Sequence, residues 1–193
     1  MALAAALAGY MVSRQLAHPL PQLESGTALP RPRALQPFSL TDQQGRAFGN
    51  AELAGHPSLV FFGFTHCPDV CPTTLALMAQ LKRTPALARL QMIFVTVDPK
   101  RDDAAAMQAY VDAFGGNMVG LRGEDAALDP FLKNLGALRA IQPLAGSDYS
   151  VDHSATLFYL DAQGALAAVF TPPFEFTKLS ADLSTLLARN TSI

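Results

Sequence analysis

The stretch PSLVFFGFTHCPDVCPTTLALMAQLKR, residues 57–83, governs the reading of the whole chain. Its first eight residues form a nearly continuous apolar run of strand length, rich in β-branched and aromatic side chains, which suits a central strand buried on both faces. Pro72 stands where a helix can begin, and after it Leu75, Leu77, Met78 and Leu81 recur at helical spacing. Between the two lie Cys67 and Cys71, the only cysteines in the chain. The unit is therefore strand, cysteine loop, helix.

Outward from this unit the alternation continues. QMIFVTV (91–97) reads as a second buried strand, and DDAAAMQAYVDAF (102–114) as a helix ended by Gly115 and Gly116. MVGLRG (118–123) suits a short strand, and EDAALDPFLKNLG (124–136) a helix interrupted near Pro130. ATLFYL (155–160), the turn DAQG and ALAAVF (165–170) make a hairpin, followed by a C-terminal helix over 177–189. Upstream, Phe38–Leu40 and Ala47–Phe48 flank the polar turn TDQQGR, giving an N-terminal β-hairpin, and Asn50 is placed to cap a short AELAG helix. Strands alternating with helices and a closing antiparallel hairpin predict an α/β sandwich: a mixed central sheet flanked by helices.

The chain has 193 residues, half of them hydrophobic and 16% charged, enough for one ordinary domain with extra sequence at an end. A net charge of −2 with scattered Lys and Arg gives no electrostatic footprint for nucleic acid. MALAAALAGYMV is uncharged and too short to span a bilayer alone, since a spanning helix needs about 20 apolar residues. Residues 1–16 thus resemble the apolar part of a signal peptide or the remnant of a membrane anchor, without the basic segment expected before it. Residues 17–37 carry five prolines and no periodicity, as an extended linker would, which starts the folded domain at 38 and runs it to 193.

Two cysteines four apart are a poor brace, because closing a five-residue loop stabilises a fold by only about 2 kcal/mol before strain. Their position is better suited to reactivity. Reactive groups in α/β sheets collect at the carboxyl ends of strands, and the positive end of the following helix is expected to lower a thiol pKa. At near-helical spacing the two Cβ atoms lie about 5–6 Å apart, whereas a disulfide requires about 3.5–4.5 Å. Two thiolates about 2.3 Å from one metal ion sit about 4 Å apart, which this spacing reaches easily. Metal is the easier state, and a Cys67–Cys71 disulfide is accessible if the loop tightens. A third ligand must come from elsewhere. Of His18, His56, His66 and His153, the last is the best placed: it precedes the closing hairpin, near Asp148 and Asp152, in a loop that an α/β sandwich can bring beside the cysteines.

Three blocks, FFGFTHCPDVCPTTL (61–75), VTVDPKRD (95–102) and VDHSATLFYLD (151–161), resemble in this order the Sco/SenC family of copper-binding, thioredoxin-like proteins that help build the CuA centre of cytochrome c oxidase. The resemblance covers about residues 35–190 and implies a thioredoxin-like sandwich. It further implies one copper ion, Cu(I) or Cu(II), on Cys67, Cys71 and His153, and a monomer working on the copper-bearing subunit of the oxidase or with other periplasmic copper chaperones. The location implied is the periplasmic side of a bacterial inner membrane or the mitochondrial intermembrane space, with an N-terminal anchor. The donor set agrees, for two thiolates and an imidazole are soft ligands suited to Cu(I), and a water or carboxylate can complete Cu(II). Asp69 is a candidate outer partner of the metal. Asp98 and Arg101 read as helix capping and a surface ion pair, and Phe61, Phe62, Phe64, Met78, Met92 and Met107 as core.

The main rival is a thiol–disulfide oxidoreductase or redox sensor without a delivery role. Such an enzyme normally presents C-x-x-C and has no need of His153. A peroxiredoxin is disfavoured, because the Pro and Thr expected seven and three residues before its cysteine are Phe64 and Pro68 before Cys71, and Val60 and Phe64 before Cys67.

Overall fold

The computed structural model describes residues 20–115, 117–144 and 148–189; the expected anchor segment 1–16, His18 and Gly116 lie outside the described residues. Ten strands are described: β1 (Gly26–Arg33), β2 (Ser39–Asp42), β3 (Ala47–Gly49), β4 (Ser58–Gly63), β5 (Gln91–Thr96), β6 (Val119–Arg122), β7 (Arg139–Pro143), β8 (Tyr149–His153), β9 (Leu157–Leu160) and β10 (Leu166–Phe170). The helices are α1 (Asn50–Leu53), α2 (Val70–Lys82), α3 (Ala104–Phe114), α4 (Asp125–Leu135) and α5 (Phe176–Arg189).

Eight strands form one mixed sheet in the order β1-β10-β9-β4-β5-β6-β2-β3. Its centre is parallel, β4 beside β5 and β5 beside β6, because helices return the chain across the face; β9 closes antiparallel on β4. Every residue of β4 is buried, as the apolar run Leu59–Phe62 demands, and the hydroxyl of Ser58 at its start is hydrogen-bonded to the His56 carbonyl and to Gln91. Phe61, Phe62 and Phe94 are fully buried in the core, and truncating any of them to alanine would cost about 3–5 kcal/mol. All the Phe and Met residues read as core are buried.

Four local expectations are corrected. Residues 26–33, inside the segment read as linker, form β1 at the sheet's edge, and Asp182 on α5 fastens its start by accepting from the backbone N–H groups of Glu24, Ser25 and Gly26. Pro30 and Pro32 are tolerated there because an edge strand needs no donor on its outer side, and the register shifts between Ala28 and Arg33. Second, α4 runs through Pro130 without interruption: Leu128, Phe131, Leu132 and Leu135 are buried on both sides of it, and that packing outweighs one missing ladder bond. Third, Asn50 does not cap α1, since its Oδ1 accepts from Phe38 N–H and its Nδ2 donates to the Leu35 carbonyl. Fourth, β7 and β8 pair as a separate two-stranded hairpin where no strand was expected.

Candidate metal centre

The chain leaves β4 at Gly63 and turns sharply, with Cys67 N–H donating to the Phe64 carbonyl at 3.2 Å. Helix α2 then starts at Val70, two residues earlier than Pro72 suggests. Pro72 is harmless in this first turn, where backbone N–H groups have no partner in the helix. Cys71 is consequently a helical residue, fully buried, while Cys67 in the preceding turn is partly exposed; both are free thiols. The fit of Cys71 depends on Gly63: a Cβ there would lie 2.8 Å from Cys71 Sγ and 2.8 Å from Phe94 Cε2.

His153 ends β8 and arrives from 82 residues further along the chain, with Nε2 3.4 Å from Cys71 Sγ. Its other nitrogen, Nδ1, lies 3.2 Å from the Ser154 carbonyl oxygen. That carbonyl can only accept, so the proton belongs on Nδ1, and Nε2 presents its lone pair to the sulfur. The rings of Phe61 and Phe64 stand edge-on to the imidazole, each with its centroid 5.9 Å away, and fix its plane. The donor atoms of Cys67, Cys71 and His153 all lie within 4.8 Å of one another. An ion held at about 2.0–2.3 Å by such donors needs them roughly 3.5–4 Å apart in trigonal geometry, so little adjustment separates this arrangement from a closed site.

The electrostatics depart from expectation. Burial pushes the Cys71 thiol well above its usual range, with the neighbouring Cys67 adding to the rise and a backbone hydrogen bond from Phe64 opposing it. A helix terminus supplies about 0.3–2 kcal/mol, whereas full burial of a charge shifts a group by up to roughly 3–5 pK units, and burial wins. Burial likewise lowers the His153 pKa, against the Ser154 carbonyl and Asp152, so the imidazole stays neutral. Burial thus favours the neutral form of both Cys71 and His153.

Of the other residues singled out, His66 is exposed and its Nδ1 faces Thr65 Oγ1 at 3.0 Å and Asp102 Oδ1 at 3.7 Å, apart from the sulfur–imidazole cluster. Asp69 is exposed at the start of α2 and makes no side-chain capping bond. His56 is exposed ahead of β4. Asp98 and Arg101 are not a surface pair: Asp98 is 3% exposed, its carboxylate pairs with Arg101 Nε, and Tyr149 Oη donates to it at 2.7 Å. Nor does Asp98 cap α3, a role taken by Asp103, which accepts from Ala106 N–H. Two residues with clear roles escape sequence reading. Asp102, fully buried, accepts from Thr65 N–H at 3.0 Å, Thr65 Oγ1 at 2.6 Å and Thr96 Oγ1 at 2.6 Å, and so secures the start of the cysteine loop. Tyr149 reaches across from β8 to Asp98.

Comparison with known proteins bears on the fold and the family. A protein of Stutzerimonas stutzeri named for copper binding is 35% identical over 82% of this chain and 79% of its own length. The mitochondrial SCO2 homolog of Mus musculus is 39% identical over 66% of this chain and 52% of its own, so this chain spans about half of that relative. Among solved structures, Arabidopsis thaliana ScoI with copper bound superposes with a TM-score of 0.74 at 25% identity, covering 80% of this chain and 98% of that one. Bradyrhizobium japonicum ScoI with copper bound gives 0.67 at 34% identity, covering 82% and 98%. A thioredoxin-family thiol:disulfide interchange protein from Chlorobium tepidum, 20% identical with a TM-score of 0.57 over 81% of this chain and 97% of that one, bears on the fold alone, which is thioredoxin-like. The sequence profile of the SCO1/SenC family matches residues 27–188, and the chain belongs to that family.

Proposed function

We propose that this protein is a copper carrier, taking one ion on Cys67, Cys71 and His153 as cargo and serving assembly of the CuA centre on the copper-bearing subunit of cytochrome c oxidase. The observation that carries the reading is the convergence of three soft donors, from segments 82 residues apart, to within 4.8 Å of one another. Binding replaces two thiol protons with the ion, as thiolate ligation requires. The neutral imidazole needs no deprotonation, and its Nδ1 contact with Ser154 keeps Nε2 aimed at the site. Cu(I) matches the two sulfurs, and Cu(II) depends more on the nitrogen donor. The working location would be the periplasm or the mitochondrial intermembrane space, compartments where copper is handed between proteins and a Cys67–Cys71 disulfide can also form. Among the described residues no helix is long and apolar enough to cross a membrane.

The deciding experiment titrates apo-protein with Cu(I) against a chromophoric chelator, and separately with Cu(II), comparing wild type with His153→Ala and with a Cys67→Ala, Cys71→Ala double variant. One equivalent should bind wild type tightly, the double variant should lose it, and His153→Ala should weaken Cu(II) more than Cu(I). Unchanged tight binding in the double variant overturns the site. Thiol–disulfide exchange that is intact in His153→Ala, with no copper bound by wild type, would instead favour an oxidoreductase.

A further inference from the structure

The centre is built from two halves with separate supports. Cys67 lies between β4 and α2 and Cys71 in the first turn of α2, both in the body of the domain, while His153 belongs to the β7–β8 hairpin, which has no ladder to the main sheet. An isolated two-stranded hairpin is marginal in water, so its place must be set by contacts with the body. Its base is tied by Arg139, whose Nη1 donates to the Val97 carbonyl at 3.1 Å while its other nitrogens pair with Asp125 and Asp129. His153 pairs with Arg139 at this same base, so the base fixes its place, and what holds the far end, at Tyr149, fixes the turn of β8 about its own axis and with it the aim of the imidazole.

That end is held by Arg101. Its Nε pairs with Asp98, and its Nη1 donates to the Tyr149 carbonyl at 3.0 Å and to Asp148 Oδ1 at 3.3 Å. The guanidinium carbon lies 3.9 Å from the centroid of the Tyr149 ring, a cation–π contact. Tyr149 Oη closes the ring of contacts by donating to the second oxygen of Asp98. On its other side the guanidinium lies 5.8 Å from the centroid of Phe64, the ring against which His153 stands edge-on. The next residue, Asp102, binds Thr65 two residues before Cys67. One short segment, 98–102, therefore grips both halves of the centre.

We propose that Arg101, fixed by Asp98, is a positioning residue of the metal centre: by holding Tyr149 of β8 on one side and the Phe64 ring on the other, it keeps the His153 imidazole aimed at the two cysteine sulfurs. The proposal rests on the reading of Cys67, Cys71 and His153 as the copper site. An exposed ion pair would contribute little and could be replaced by lysine, but this guanidinium makes three polar contacts and a stacking contact from a site only 22% exposed. Lysine preserves the charge and loses the fork.

The test uses Arg101→Met, Arg101→Lys and Tyr149→Phe in the full chain. Removing outer partners of a metal site typically weakens affinity about 10–100-fold, and that loss of Cu(II) affinity is expected for both arginine variants. In a double-mutant cycle with His153→Ala the loss should vanish, because a clamp that acts through His153 has nothing left to position. A purely structural role would leave the two losses additive, and additivity overturns the proposal. The apo-protein supplies a readout that needs no copper. NMR cross-peaks between the His153 ring and the rings of Phe61 and Phe64 should weaken in Arg101→Met while the core cross-peaks of β4 and β5 persist. Unchanged ring cross-peaks together with unchanged affinity overturn the proposal. If His153→Ala leaves copper binding untouched, the copper-site reading fails, and the apo cross-peaks alone decide whether Arg101 positions His153. Should Arg101→Met fail to fold, Tyr149→Phe, which removes only the hydroxyl bond to Asp98, is read the same way with a smaller loss.

Discussion

Gly63→Ala tests the closest approach in the centre. The new Cβ would lie 2.8 Å from Cys71 Sγ, 2.8 Å from Phe94 Cε2 and 3.3 Å from Phe61 Cε1, where ordinary contact begins at 3.4 Å. About half an ångström must be found in two directions at once. Phe94 cannot yield easily, being fully buried with its ring 6.4 Å from that of Phe61 and 5.4 Å from that of Tyr110. Cys71 has only χ1 to turn, on a backbone held by α2. Overpacking of this kind costs about 1–3 kcal/mol. For a domain of this size each kcal/mol lowers Tm by about 2–4 °C, so a circular-dichroism melt of the apo-protein should fall by roughly 2–12 °C. Because turning Cys71 is the cheaper adjustment, copper affinity should fall as well, by about tenfold, the equivalent of about 1.4 kcal/mol. Adding Phe94→Leu should recover part of the stability that the alanine costs and leave the copper defect in place, since it relieves only one of the two clashes. A Gly63→Ala protein that melts with wild type and binds copper as tightly would refute the argument that this approach constrains the site.

Asp182→Ala should free β1, because its carboxylate accepts from three backbone N–H groups and from Ser25 Oγ; a loss of about 2–3 kcal/mol is expected, with hydrogen exchange accelerated at Thr27 and Ala28 and unchanged in β4. Equal protection in both proteins would show that the strand holds itself. Asp42 tends upward in pKa through burial, but hydrogen bonds from the Arg46 backbone and side chain and from Gln44 N–H outweigh this and leave it below its ordinary value of 3.8. Its stabilisation is therefore complete above about pH 3.8 and is lost as pH falls through the lowered folded value, so Asp42→Asn should flatten the acid limb of a stability–pH curve; a parallel curve would contradict this. A Cys67–Cys71 disulfide and bound copper should exclude each other, because both use the same sulfurs. Oxidised protein mixed with copper and desalted is expected to retain none, and a full equivalent kept in a His153-dependent site would count against the shared-sulfur account.

The sheet's centre is readable from sequence because β4, β5 and β9 are buried on both faces, which calls for apolar runs, while β10 alternates buried and half-buried residues just after a polar turn. Where structure depends on distant partners the signal fades. Pro30 and Pro32 argue against a strand by local rules, and what makes β1 a strand is the edge of β10 together with a carboxylate 156 residues away. The β7–β8 hairpin is similar. Tyr149–His153 does alternate, but Arg139–Pro143 is mostly exposed and lacks a hydrophobic face, so its pairing follows from Arg139 and from the contacts of Tyr149.

At the centre the residue types are legible and their environments are not. Cys67, Cys71 and His153 stand out by chemistry and by the resemblance of three sequence blocks, and the fold brings them together. Asp98 and Arg101 occupy positions where capping and surface pairing are the ordinary outcomes, and only the arrival of Tyr149 from another element converts them into a buried bridge. The thiol of Cys71 shows the same division. Sequence places it at a helix N-terminus, which favours a thiolate; the fold buries it against Gly63, where desolvation is the larger force and keeps the proton on. A thiol so held is a weak nucleophile, because disulfide attack requires the thiolate, yet it remains a metal donor, because an arriving soft cation supplies the positive charge that burial otherwise withholds. Burial thus makes the Cys71 sulfur a poor attacking group while leaving it able to hold a metal.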